Sequence, residues 1–186
     1  MSVDFGFYQV GIGDLVFNDN ADKNGIYDGL DVGISGVTME LLSSNGTVIN
    51  VGADGIYNTA DDASTTYTTD INGTYAFSGL PEGDYYIRAG GQTNYTSTVD
   101  DYDTAAEDDN TDPDENINNN DNGVGTGSGA ATSGLLSVEA GEDTPTGGDG
   151  IDVNFSNGTT TDNTVDFGFL NAYSLGNRVW FDADNN

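Results

Sequence analysis

The chain has 186 residues, with 32 Asp plus Glu against 3 Lys plus Arg, for a formal net charge of −29. The cations, Lys23, Arg88 and Arg178, cannot build a basic patch, which excludes nucleic-acid and anionic-membrane partners, and no apolar run approaches a membrane-spanning length. Cys and His are both absent, so disulfides, thiol nucleophiles, Ser-His-Asp triads and the common zinc and copper ligand sets are excluded as well.

Hydrophobic residues make up 35% of the chain, and with this charge that share would suit a disordered polypeptide. The 10 Tyr and 8 Phe argue otherwise, because many of them fall in short alternating runs. In chain order, β-branched and aromatic composition predicts strands over 10–17, 35–43, 46–51, 64–70, 73–78 and 84–90. Further strands are predicted over 134–139, 151–155, 164–170 and 174–181. Asn45-Gly46 and Asn72-Gly73 read as hairpin dipeptides with both residues at positive φ. Tyr75/Phe77 and Tyr85/Ile87 show the period of two that marks a half-buried strand. No segment reads as a helix. The expectation is an all-β, antiparallel β-sandwich with long acidic loops.

A repeat frames these elements. Val3-Asp4-Phe5-Gly6-Phe7 recurs unchanged as Val165-Asp166-Phe167-Gly168-Phe169, and Ile12-Gly13-Asp14-Leu15-Val16-Phe17 returns as Leu175-Gly176-Asn177-Arg178-Val179-Trp180. The period is therefore roughly 160 residues, and the chain is expected to come from a tandem array. Residues 1–9 read as the last strand of a preceding repeat or as a donor strand. Residues 10–172 form one repeat with an acidic insertion at about 95–160, and 173–186 open the next.

One loop carries specific chemistry. In Asn20-Ala21-Asp22-Lys23-Asn24-Gly25-Ile26-Tyr27-Asp28-Gly29-Leu30-Asp31, oxygen side chains fall at positions 1, 3, 5, 9 and 12, with Gly at 6 and an apolar residue at 7. That is the spacing of an EF-hand-type calcium loop, in which alternate oxygens turn inward around a hard cation and the glycine makes the sharp turn. Asn20, Asp22, Asn24, Asp28 and Asp31 are the candidate side-chain ligands, and Ile26 contributes its carbonyl. Asp31 stands where Glu is usual, and flanking Asp19 is a further candidate. The motif begins again at Asp182 and Asp184. Asp54, Asn58, Asp61 and Asp62 fit either a second calcium site or a solvated hairpin tip. Asp70 fits a plain turn, or a ligand if it reaches a shared ion. Asp108, Asn110 and Asp112 sit in the acidic stretch 100–130, which reads as either a disordered acidic insertion or a loop ordered by metal.

These residues also resemble a known family. Gly13-Asp14-Leu15-Val16-Phe17, the loop 20–31 and Gly33-Ile34-Ser35-Gly36-Val37-Thr38-Met39-Glu40-Leu41 are similar to the opening of a B-type, collagen-adhesin-B-like repeat domain of serine-aspartate repeat surface adhesins. Thr68-Thr69-Asp70-x-x-Gly73-x-Tyr75-x-Phe77-x-Gly79-Leu80-Pro81-x-Gly83-x-Tyr85 resembles the middle strands of the same family. The resemblance covers about 1–90 and 163–186. It implies a prealbumin-like, Ig-like sandwich, two or more bound calcium ions that rigidify it, and a place in an extracellular stalk, fibre or biofilm matrix. Some relatives carry a Lys–Asn cross-link; Lys23 is the only lysine and lies inside the calcium loop, so none is expected here.

The functional expectation is a calcium-stabilised structural repeat whose partners are neighbouring copies, in a stalk or a head-to-tail filament. The alternative is an adhesin module that holds a host protein or matrix polysaccharide through Tyr86, Tyr95 and Tyr102. An enzyme is not expected, because the sequence places no carboxylate in the apolar setting that a catalytic acid requires.

Overall fold

The computed structural model describes residues 9–21, 23–63, 66–98, 121–125, 129–140, 151–153 and 161–172. Among these residues thirteen strands follow in order: β1 (Val10–Asn18), β2 (Val32–Gly33), β3 (Met39–Ser43), β4 (Val48–Ile49), β5 (Thr74–Leu80), β6 (Gly83–Ala89) and β7 (Tyr95–Ser97), then β8 (Gly123–Gly125), β9 (Ala131–Ser133), β10 (Leu136–Ala140), β11 (Ile151–Val153), β12 (Thr161–Asp162) and β13 (Phe167–Asn171). Among the described residues there is no helix. The expected strand over 174–181 and residues 1–8 lie outside the described residues, as do parts of the runs 64–70 and 151–155.

β1 is the spine of the first sheet. Antiparallel β5 lies along one edge, with Val10 opposite Leu80 and Leu15 opposite Thr74, and β2 continues that edge with Gly33 opposite Phe17. Along the other edge run β12 and then β13, both parallel to β1, with Thr161 opposite Gly11 and Phe167 opposite Val16. β7 closes the sheet on β13. Val10, Ile12 and Val16 face the core, while Leu15 and Phe17 are buried on the opposite face. A strand covered on both faces reads as a nearly continuous apolar run, as this one does.

The second sheet runs β11-β10-β6-β3-β4, with β9 on β6 and β8 on β9. In β6, Tyr85, Ile87 and Ala89 are buried and alternate with half-exposed Tyr86 and Arg88. Phe77, Phe167 and Phe169 join Met39, Leu41, Ile87 and Leu136 between the sheets, all at 2% exposure or less. Burying one such side chain contributes about 1.5–3 kcal/mol. Facing away from this core, Arg88 Nε donates to Glu40 Oε2 at 2.6 Å, across a directly opposed β3–β6 pair.

The all-β expectation holds, and the strand limits differ in instructive ways. The described part of the run expected at 64–70, residues 66–70, is an extended segment rather than a full strand. It is tied to 36–39 by Met39 N–H to Tyr67 C=O, Thr69 N–H to Val37 C=O and a Thr38–Thr68 bridge. Both hairpin dipeptides do make turns, but only their glycines are left-handed, with φ +80° at Gly46 and +86° at Gly73. Gly46 N–H donates to Ser43 C=O and Ser43 N–H to Thr47 C=O; Gly73, Asp70 and Thr74 repeat the pattern. This is a three-residue loop with a glycine bulge, not the two-residue turn with two positive φ values.

Candidate functional site: the acidic loops

The 19–31 loop leaves the end of β1 and returns as β2. Two left-handed residues bend it, Lys23 at φ +61° and Gly25 at φ +75°. Asp19 holds its base. It is fully buried, and its carboxylate accepts Gly25 N–H at 2.9 Å, Asn24 N–H at 3.3 Å and the Thr98 hydroxyl at 2.7 Å. Three donors thus satisfy a carboxylate that burial has removed from water. Tyr27 lays its ring edge on Phe17, at 5.6 Å between centroids, while Ile26 is half-buried.

The other expected ligands mostly cap the loop's own backbone. Asn24 Oδ1 accepts Ile26 N–H, Asp28 Oδ1 accepts Leu30 N–H, and Asp31 Oδ2 accepts Asp28 N–H. Asn20 Oδ1 accepts Asn171 N–H at 3.0 Å, which fastens the loop to the end of β13. Asp22 lies outside the described residues. Among the described residues no three acidic side chains gather as a ready-made metal cluster. The donor set nevertheless fits calcium in kind. It is all hard oxygen, and the loop already makes the left-handed bend at Gly25 that a wrap requires.

The sequence reading missed the root of this loop. Asp121, Asn122 and Asp166 are buried at 0%, 6% and 0% exposure. Asp121 N–H donates to Gly25 C=O at 2.8 Å, Asn122 and Asp166 exchange two bonds, and Leu15 N–H donates to Asp166 Oδ1 at 3.1 Å. Asp121 and Asn122, inside the acidic insertion, thus join with Asp166 to tie the loop, β1 and the start of β13 together. The available signal was the repeated Val-Asp-Phe-Gly-Phe, where an acid sits inside a run of buried residues.

The second acidic loop, 52–62, has a structural task. Ser78 N–H donates to Gly55 C=O, Tyr57 N–H donates to Ser78 C=O, and Ile56 bridges Ser78, so the loop covers the outer edge of β5. Covering a strand edge removes a template for unwanted pairing. Its acids close it. Asp61 accepts Ala53 N–H and the Thr59 hydroxyl, Asp62 accepts Asn58 and Thr59 N–H, and Asp54 accepts Ile56 N–H. Asn58 enters at φ +65°. The Thr59 hydroxyl and then the Ala53 N–H hold the Asp61 carboxyl below its ordinary range.

Asp70 caps the turn to β5 through Asn72 and Thr74 N–H, and the Thr74 bond leads in lowering its pKa. It also lines, with Asp14, Tyr67 and Tyr75, an open cleft of about 610 Å³. Asp108, Asn110, Asp112, Asp182, Asp184 and Tyr102 lie outside the described residues. Tyr95 is half-buried with its ring against Phe169, and Tyr86 is half-buried on β6.

Two sheets around one apolar core, with acidic loops closing the ends, define the class: an all-β sandwich. The chain belongs to the SdrD B-like domain family, whose sequence model matches residues 10–141. Serine-aspartate repeat-containing protein F of Staphylococcus epidermidis is 40% identical over 101 residues, 53% of this chain and 5% of that protein. Serine-aspartate repeat-containing protein D of Staphylococcus aureus strain Newman is 29% identical over 187 residues, 98% of this chain and 10% of that protein. The chain therefore spans a tenth or less of these relatives. Among solved structures, GBS52, the minor pilin of Streptococcus agalactiae, superposes with a TM-score of 0.51 at 17% identity, over 92% of this chain and 48% of that one, a likeness of fold. The chain is accordingly an extracellular, cell-surface module and not an enzyme.

Proposed function

We propose that this module is a calcium-stabilised spacer, one unit of a rigid stalk or fibre built from consecutive copies. The observation that carries the reading is the 19–31 loop. Its candidate ligands are all oxygens, it bends at Gly25, and it is bonded to the end of β1 at Asn18 and to the end of β13 at Asn171. Asn20, Asn24, Asp28, Asp31 and the Ile26 carbonyl would hold the ion, with Asp19 keeping the loop base in place. The ion would supply positive charge to a chain of net charge −29 and fix the point where the polypeptide leaves the module. The 52–62 loop is the second candidate.

The repeated strand supports the consecutive-copy form. Within the module, Val165 to Phe169 already lie along β1, with Phe167 opposite Val16. That position is taken by the module's own copy of the motif. Residues 3–7 repeat the same five residues in sequence, the pattern that consecutive copies would give.

Melting in millimolar calcium and in excess chelator, with ions counted by native mass spectrometry, tests the proposal. A micromolar site saturated at a thousandfold excess stabilises by about 4 kcal/mol, so each ion should raise Tm by about 10 °C in a chain of this size. Two or more bound ions are expected. An unmoved melt with no ion bound overturns the proposal.

A further inference from the structure

Consecutive copies have almost no slack between them. By the repeat, Phe5-Gly6-Phe7-Tyr8-Gln9 corresponds to β13, and β1 starts at Val10 with nothing in between. At the other junction Leu175-Gly176 corresponds to Ile12-Gly13, which leaves Ala172 alone between Asn171 and Tyr173, the counterpart of Val10. One residue reaches less than about 4 Å, so the ends of neighbouring copies are brought into contact.

Those ends are not polar caps. Beside the point where β13 leaves, Leu30, Val32 and Ile71 are 70%, 62% and 83% exposed. They share one end because Gly33 packs on the Asn72–Gly73 turn so closely that a Cβ would stand 1.7 Å from the Asn72 carbonyl oxygen. Asp19 N–H to Phe169 C=O at 2.9 Å places the end of β13 at the same end of the sandwich. At the opposite end, where Val10 pairs with Leu80, Pro81 is exposed. There Ile56 and Tyr57, 40% and 37% exposed, lie against Gly79.

We infer that Leu30, Val32 and Ile71 form a docking surface for the next copy of this module, seated against its Ile56, Tyr57 and Pro81. This rests on the reading of the chain as a tandem structural repeat. An apolar contact suits copies of so acidic a sequence, with 32 Asp plus Glu against 3 Lys plus Arg, since facing ion pairs between them would lack cations. A short tether sets the local concentration near millimolar, so a small patch is sufficient. The two ends differ, the contact does not close on itself, and it propagates as a rod.

The test uses a two-copy chain in which residues 1–171 run on into 10–186, beside the 186-residue chain, both with labelled Ile, Leu and Val methyl groups. Docking predicts that Leu30, Val32 and Ile71 of the first copy and Ile56 of the second shift and are shielded from a dissolved paramagnetic probe, while Leu30, Val32 and Ile71 of the second copy keep the single-chain signals. The two copies should then tumble as one body. Val32→Thr with Ile71→Asn in the first copy should release them, and the same pair should leave Tm of the 186-residue chain in place because both side chains are exposed. First-copy methyls unchanged from the single chain, or joint tumbling that survives the double variant, would overturn the inference. Repeating the spectra in chelator separates the two ideas. Docking shifts in a chain that ignores calcium would sink the metal reading alone, and a calcium-responsive chain without docking shifts would sink the surface alone.

Discussion

Thr69 shows how much a single side chain carries. It is 4% exposed, its hydroxyl donates to Ile34 C=O at 2.7 Å, and it accepts Val37 N–H at 3.0 Å. Thr69→Val keeps the shape and strands both backbone groups, so urea unfolding should show a loss of about 1–3 kcal/mol at unchanged m-value. A loss near zero would mean that water reaches the segment. The carboxylates of Asp61 and Asp70 act through protons. Both are held below the ordinary value of 3.8, by the Thr59 hydroxyl and the Thr74 N–H respectively. As pH falls, the unfolded chain takes up these protons first, so the stability they contribute is present above 3.8 and lost as pH drops through their folded values. Asp70→Asn retains an acceptor for Asn72 and Thr74 N–H but cannot titrate. Its melting temperature should fall less steeply than the parent's below that pH, and the difference cancels the general relief of repulsion that protonation brings.

Among elements, the junction of β1, β2 and the 70–74 turn is the tightest. Gly73 sits at φ +86°, and a Cβ on Gly33 would meet the Asn72 carbonyl far inside contact distance. Gly33→Ala should therefore destabilise by about 3 kcal/mol or more in denaturant titration, and a near-neutral result would show that the turn can slide. This junction also marks what the sequence made legible. The long strands β1, β5 and β6 were readable because both-face burial and strict alternation leave patterns in apolar residues. β2, β7, β8, β9 and β12 were not, since two or three polar or glycine-rich residues pair only because a partner strand is already in place. The 19–31 loop was legible as a polar turn bent at its glycine, and Gly25 is left-handed there. Its supports Asp121 and Asp166 were not, because they reach it across the fold, and the 52–62 acids turned out to close a loop that shields β5.

At the scale of the whole molecule, charge and metal are separable. A chain of −29 repels itself, and any salt weakens that repulsion, with a screening length near 10 Å at 0.1 M. Sodium chloride should therefore raise the melting temperature of the metal-free chain smoothly, without a saturating step. Calcium held in the 19–31 loop as proposed would act differently. It would add charge at a fixed place, between Asn20, which holds Asn171 N–H, and Asp31, just ahead of β2. Its effect should saturate at micromolar to millimolar concentration and exceed that of sodium chloride at equal ionic strength. Magnesium discriminates further, because it demands near-ideal octahedral oxygens and gives up its water reluctantly, whereas calcium tolerates irregular amide, carbonyl and carboxylate sets. Titrating each ion at constant ionic strength should give a calcium-induced rise in Tm several times that of magnesium. Asp28→Asn with Asp31→Asn should reduce the calcium rise and leave the sodium response as it was. Equal rises for the two divalent ions, matched by sodium chloride, would make the loop a screened acidic turn and leave the rigidity of the stalk to packing between copies.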